Sequence, residues 1–252
     1  MNKLDSQLRA QILHMLCEGS SIRSTARACW VSKNTVTKLL TDAGRVCSEY
    51  QDGVLRGLTC QRIRVDEVWS FCVTNEDAEG ARDVWTWTAM DEDSKLAVAW
   101  LVGQRDSDYA TIFIDDLRSR LVNGVQLTSD GHKAYLDAVD DVSSDDIDYD
   151  MLVRIYGETP DSAEGRDSSS SVPGANGFSK KVENHAHAVA LHFMYHNFVK
   201  INATLRTSPA VAAGVSKRLW EIRDIVALLE AAEAKADRTG ARAGPPVQIS
   251  RN

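Results

Sequence analysis

The stretch Arg62-Ile63-Arg64-Val65-Asp66-Glu67-Val68-Trp69-Ser70-Phe71-Cys72-Val73 decides how this chain is read. Apolar residues at 63, 65 and 68 suit a β-strand, and two adjacent carboxylates stand in the middle of it. Taking a carboxylate out of water costs several kcal/mol unless something compensates it. A divalent metal is one compensation. The other is an exposed side of the strand, on which Asp66 or Glu67 would simply face water. The strand alone leaves both open.

Working outward, Val84–Met90 and Leu96–Val102 read as two further strands. Ser107-Asp108 is placed to cap a helix that runs to about Leu121. Val125–Ser129 reads as a fourth strand and His132 to about Val139 as a helix. Three strands, a helix, a strand and a helix predict an α/β domain. A second carboxylate, Asp130, follows the fourth strand at the turn into that helix. Open α/β sheets place their sites at strand carboxyl ends. Asp66 and Asp130 on neighbouring strands would hold Mg²⁺ or Mn²⁺ through oxygen ligands, and Asp130 would serve equally as a helix N-cap.

Upstream of the strand the pattern is all-α. Residues 6–18 place Leu8, Ile12, Met15 and Leu16 at helical spacing, and Gly19 ends the run. Ser20-Ser21 start a second helix, with Ile22, Ala26 and Cys29 or Trp30 pointing inward. Ser32 is a suitable N-cap for a third helix, Lys33 to Leu40. Three short helices with tight turns predict a helix-turn-helix over residues 1–45, with 46–60 as a connector. The third helix would display Lys33, Asn34, Thr35, Thr37 and Lys38, side chains able to reach phosphates and base edges. Val36, Leu39 and Leu40 would face the core. A plain helical bundle with a solvated polar face is the other reading.

Charge divides in the same way. The chain of 252 residues carries a net charge of −7, yet Lys3, Arg9, Arg23, Arg27, Lys33, Lys38 and Arg45 stand against only Asp5, Glu18 and Asp42 in the first 45 residues. Nucleic-acid partners favour such a basic segment. Much of the acid lies between Asp137 and Asp150. Cys17, Cys29, Cys47, Cys60 and Cys72 form no CxxC pair, so small buried residues are expected rather than a zinc site. No apolar run is long enough to span a membrane. The first residues have no secretory h-region, so a cytoplasmic location is expected.

Beyond the fourth strand, residues 158–177 hold Pro160, Pro173, Gly165, Gly174, Gly177 and the run Ser168–Ser171, and predict an irregular loop. Ser179–Phe198 reads as one long amphipathic helix, Pro209–Gly214 and Leu219–Ala234 as two more, and 236–252 as a flexible tail. His192 and His196 stand four apart, a metal-ligand spacing. With Phe193, Met194 and Tyr195 around them and no Glu between, packing is the expected role. The strand tryptophans Trp69, Trp85, Trp87 and Trp100 are expected in the core.

Taken together, the helix-turn-helix, Asp66-Glu67-Val68-Trp69-Ser70-Phe71, Ser129-Asp130-Gly131-His132-Lys133-Ala134-Tyr135 and Phe178-Ser179-Lys180-Lys181-Val182-Glu183-Asn184-His185 resemble transposases of the insertion sequence 1 type. Tyr195–Phe198 and Thr204–Pro209 continue the resemblance, which covers most of residues 1–235. It implies a ribonuclease-H-like domain over 61–235, interrupted at 158–177. It also implies a DDE acidic triad, Mg²⁺, and cleavage and joining of DNA by a homo-oligomer acting on terminal inverted repeats and target DNA. Asp66 then corresponds to the first acid and Asp130 to the second. The third belongs to a Glu-Arg-x-Asn-Leu-Thr-x-Arg helix upstream of Phe178. This chain has no such pattern; the irregular stretch 158–177 stands in its place. An internal deletion or frame disturbance is the expectation that joins the two. Glu183 is the nearest substitute for the third acid, and a helix-terminal charge favoured by the dipole is its other reading. A chain lacking the third acid would remain a DNA-binding protein without catalysis.

Overall fold

The computed structural model describes residues 4–72, 82–129, 135, 138, 139, 147–151 and 182–239. Its elements are α1 (Ser6–Cys17), α2 (Ile22–Ala28), α3 (Lys33–Val54), β1 (Arg62–Cys72), β2 (Arg82–Asp91), β3 (Ala97–Gly103), α4 (Ser107–Arg120), β4 (Val125–Ser129), β5 (Ile147–Met151), α5 (Val182–Met194), a π-helical turn (Tyr195–Val199), α6 (Pro209–Ala212) and α7 (Ile222–Thr239). The fold is mixed α/β, as the strand and helix periods predict. The expected helix from His132 falls largely outside the described residues; Tyr135, Ala138 and Val139 are helical and buried. Asp130, the loop 158–177 and residues 240–252 also lie outside them.

Among the described residues, five strands form one sheet in the order β3-β2-β1-β4-β5. β1 pairs antiparallel with β2, and β2 with β3. β1 pairs parallel with β4, and β4 with β5. The strand carrying Asp66 is therefore central, with antiparallel neighbours on one side and parallel ones on the other. β5 was not expected from the sequence. Its period is visible in Ile147-Asp148-Tyr149-Asp150-Met151, but the surrounding aspartates read as an acidic run.

The two faces of the sheet are covered differently. On one, Trp87 packs against Phe113 of α4 at 6.0 Å and edge-on against Tyr135 at 5.4 Å between ring centroids. On the other, Trp100 meets Phe193 of α5 at 5.1 Å. α3 packs outside α5. Gly44 makes this possible, since a Cβ there would lie 2.4 Å from the His187 carbonyl oxygen. A buried polar network ties these layers. The Asn197 amide donates to the Ala97 carbonyl at 3.0 Å and accepts from its N–H at 2.9 Å. It also donates to Gln51, whose own amide donates to the carbonyls of Cys47 and Ala190. Such fully bonded groups can be buried without the desolvation penalty.

The N-terminal helices start where the sequence places them. Asp5, Ser21 and Ser32 accept from Leu8, Ser24 and Thr35 N–H groups as N-caps. Gly19 takes a positive φ of 83° after α1. α3 differs from expectation. It does not stop near Leu40 but continues to Val54, through most of the stretch read as a connector. Val46, Cys47 and Gln51 supply the reason, because they prolong its buried face, on which Gln51 bonds to α5 and the π-helical turn. The cap of α4 is Asp106, accepting from Tyr109 N–H at 3.0 Å, rather than Ser107 or Asp108. α1 packs on α7, where buried Arg9 pairs with Glu233 at 3.1 Å. Helices α1–α3, the sheet and the C-terminal helices thus share one buried cluster. Cys17, Cys29, Cys47 and Cys60 are free and buried within it. Burial, with Glu18 or Asp91 and Asp93 nearby, pushes the Cys17 and Cys60 thiols up to about 12. Among the described residues no helix is long and apolar enough to cross a membrane.

Candidate functional site

Strand pleating sends Asp66 and Glu67 to opposite faces. Glu67 pairs with Trp87 across the β1–β2 ladder, so it points to the α4 side. Its side chain is 1% exposed, and its Oε2 accepts from Arg105 at 3.1 Å. Arg105 also lies over the Trp85 ring, 4.8 Å from its centroid. The buried carboxylate of this strand is thus compensated by a guanidinium. Glu67 Oε1 is buried without a hydrogen-bond partner among the described residues.

Asp66 is half-buried and pairs with Thr88, on the α5 side. One carboxylate oxygen accepts from the Glu67 N–H at 2.9 Å, and its carbonyl accepts from the Thr88 hydroxyl at 3.1 Å. Thr86, two residues along the same face, lies 3.3 Å from His185 Nε2 of α5. Burial lowers the His185 pKa below its ordinary value, which favours the neutral ring. The face around Asp66 therefore offers a carboxylate, two threonine hydroxyls and a neutral imidazole. Thr86, Thr88 and His185 were not singled out from sequence; the cross-strand register that gathers them has no one-dimensional signal. The carboxylate is an oxygen donor of the kind that suits a hard divalent cation, although among the described residues no three potential ligands form a group.

Asp130 lies outside the described residues, but Ser129 before it ends β4, the parallel neighbour of β1. Arg64 pairs with Thr128. Glu183 is exposed in the first turn of α5, the position its dipole-stabilised reading predicts. α5 covers the Asp66 side of the sheet, so the helix bearing Glu183 and the strand bearing Asp66 face each other.

The residues expected to contact DNA lie at the start of α3. Lys33, Asn34 and Lys38 are exposed, while Val36, Leu39 and Leu40 are buried. Thr35 is half-buried, its hydroxyl 2.8 Å from Ser32 Oγ. Thr37 is half-buried and gives its carbonyl to Thr41 at 3.0 Å. Lys38 pairs with Asp42 one turn on, which leaves Lys33 as the uncommitted cation of this turn among the described residues.

Of Cys29 and Trp30, the alternatives for the inward position after α2, Cys29 is buried and Trp30 is 95% exposed. Two expectations need correction. Trp69 is 49% exposed, with its indole N–H donating to Asp83 at 3.0 Å, whereas Trp87 and Trp100 are buried as expected. In α1, Leu8, Met15 and Leu16 only flank the buried face, which is formed by Arg9, Ile12, Leu13 and Cys17. His192 and His196 fit the packing reading. His196 Nε2 donates to the Lys95 carbonyl at 2.9 Å, and burial drives the His192 pKa down to about 4. No protein-family model and no curated protein matches the sequence.

Proposed function

We propose that this chain is a DNA transposase of the insertion sequence 1 kind, with an N-terminal helix-turn-helix and a ribonuclease-H-like domain, acting in the cytoplasm as a homo-oligomer. The observation that carries the reading is the parallel pairing of β1 with β4. It brings the strand bearing Asp66 beside the strand that leads into Asp130. A mixed sheet with Asp66 on its central strand is what a two-acid site of this type requires. The basic, exposed start of α3 supports binding to element ends. Asp66 and Asp130 would hold Mg²⁺, and Glu67 would not, because Arg105 already neutralises it. Bound there, Mg²⁺ would activate water or a DNA 3′-hydroxyl and stabilise the leaving oxygen. Asp66 would anchor the site through its half-buried carboxylate, which β1 holds rigidly.

A second reading follows from the third acid. Glu183 is exposed, and among the described residues no three metal-ligating side chains form a group. The chain would then occupy element ends without cutting them. The test is an assay on duplexes that carry the DNA flanking the coding sequence, with and without Mg²⁺. Cleavage lost in Asp66→Asn and in Asp130→Asn supports the enzyme. Binding without cleavage supports the second reading. A chain that neither binds nor cuts these duplexes overturns both.

A further inference from the structure

The turn between α2 and α3 carries a side chain that stability does not explain. Trp30 is 95% exposed, the most exposed of the large apolar residues described. It also stands at φ 55°, in the left-handed region that costs a bulky residue strain and that Gly or Asn would occupy more easily. The turn itself is well bonded: Trp30 N–H donates to the Arg27 carbonyl at 3.4 Å and Val31 N–H to the Ala26 carbonyl at 3.0 Å. The indole is therefore held outward on fixed backbone. It borders an open cleft of about 620 Å³ lined by Arg23, Ala26, Arg27, Val31 and Lys33 as well. The side chains of Arg23, Arg27 and Lys33 are all exposed and form no ion pair or hydrogen bond among the described residues. The lining contains no acid, although the whole chain carries −7.

We infer that Trp30 is a stacking platform for a nucleobase, with Arg23, Arg27 and Lys33 holding the flanking phosphates. An exposed indole fenced by three cations matches an anionic polymer whose repeating unit has a flat π face. This rests on the DNA-binding reading and adds a contact to it: the base is held at the turn, beside the α3 side chains expected to reach base edges, and the stacking is indifferent to sequence.

The probe is a labelled duplex with a six-nucleotide single-stranded 3′ overhang, titrated by fluorescence anisotropy at several salt concentrations. Trp30→Gly removes the indole and suits the local φ; circular dichroism checks the fold, which loses no core contact. Its affinity is expected to fall roughly tenfold or more, while Trp30→Phe stays within about threefold of wild type. The slope of log affinity against log salt is expected to hold in Trp30→Gly and to drop by about one in Arg27→Ala, because only the cation releases counterions. Unchanged affinity in Trp30→Gly overturns the inference while leaving DNA binding intact. So does a loss of self-association in sedimentation without a loss of DNA affinity, which would make the indole an interface between copies. A wild-type chain with no affinity for the probe overturns the DNA-binding reading itself, and this inference with it.

Discussion

Asp66 and Glu67 are adjacent in sequence and belong to different halves of the molecule. On the α4 face, Glu67 is sealed beneath Arg105, which is itself stacked on Trp85. On the α5 face, Asp66 lies half-buried beside Thr88, near Thr86 and His185. One carboxylate is committed to structure. The other accepts from the Glu67 N–H through one carboxylate oxygen, on the face that also carries Thr88, Thr86 and His185. The period-two pleat makes this separation, so a single register slip along β1 would exchange the two roles.

The comparison breaks most sharply in activity. Asp66→Asn keeps shape and removes a charge; if the α5 face is catalytic, Mg²⁺-dependent cleavage falls by about 10³ or more, with thermal stability nearly unchanged. Glu67→Gln is the matched control. It should lower stability through its loss of the Arg105 pair, and leave any cleavage by the folded protein unchanged. Equal loss of cleavage in both variants, measured per folded molecule, would remove the distinction between the faces.

The next largest effect concerns the sealed face. Arg105→Met strands a carboxylate whose side chain is 1% exposed, and an uncompensated buried charge costs about 3–5 kcal/mol. The double variant Glu67→Met with Arg105→Met removes both charges and should recover most of that loss in urea unfolding. If Arg105→Met alone costs under about 1 kcal/mol, Glu67 is not held by this pair.

The sequence showed the strands well and the pairing of their faces poorly. Period-two runs at 62–73, 84–90, 96–102 and 125–129 lie within a residue or two of β1 to β4, because a half-buried strand must alternate. An acid in the middle of a hydrophobic strand was legible, but which of Asp66 and Glu67 is sealed depends on Trp87 and Arg105, and Arg105 lies 38 residues away. The length of α3 was illegible for a similar reason. Cys47 and Gln51 look unremarkable until Ala190 and Asn197 arrive from the far end of the chain. Cys29 and Trp30 stayed alternatives for the inward position because nothing local records that α2 ends one residue before Cys29 turns inward.

Acid sharpens the contrast between the faces. α5 and the π-helical turn carry His185, His187, His192 and His196, of which His185 meets Thr86 on the Asp66 side, and burial lowers the pKa of all four. For His192 the folded value is about 4 against an unfolded 6.5. The unfolded chain then binds the proton first as pH falls. His192 therefore contributes stability that is present above pH 6.5 and is lost progressively down to about pH 4, by roughly 3 kcal/mol. His192→Leu should flatten the stability profile in that window. An unchanged slope in the variant would mean that the acid sensitivity comes from elsewhere.

The smallest effect tests how tightly the α5 layer is held. Gly44→Ala would ordinarily favour a helix by about 1 kcal/mol. Here the added methyl would meet the His187 carbonyl oxygen at 2.4 Å and its Cβ at 2.6 Å, so α3 and α5 must separate. Overpacking of this kind costs about 1–3 kcal/mol, and the net destabilisation should be about 1 kcal/mol or more. His187 is two residues from His185, which meets Thr86 beside Asp66. A shift of α5 therefore reaches the acidic face and not the sealed one. Cleavage should weaken in Gly44→Ala, while the Glu67–Arg105 coupling measured by the double variant stays the same. A stabilised Gly44→Ala protein would show that the two helices have room to spare, and that α5 is not what holds His185 beside Thr86.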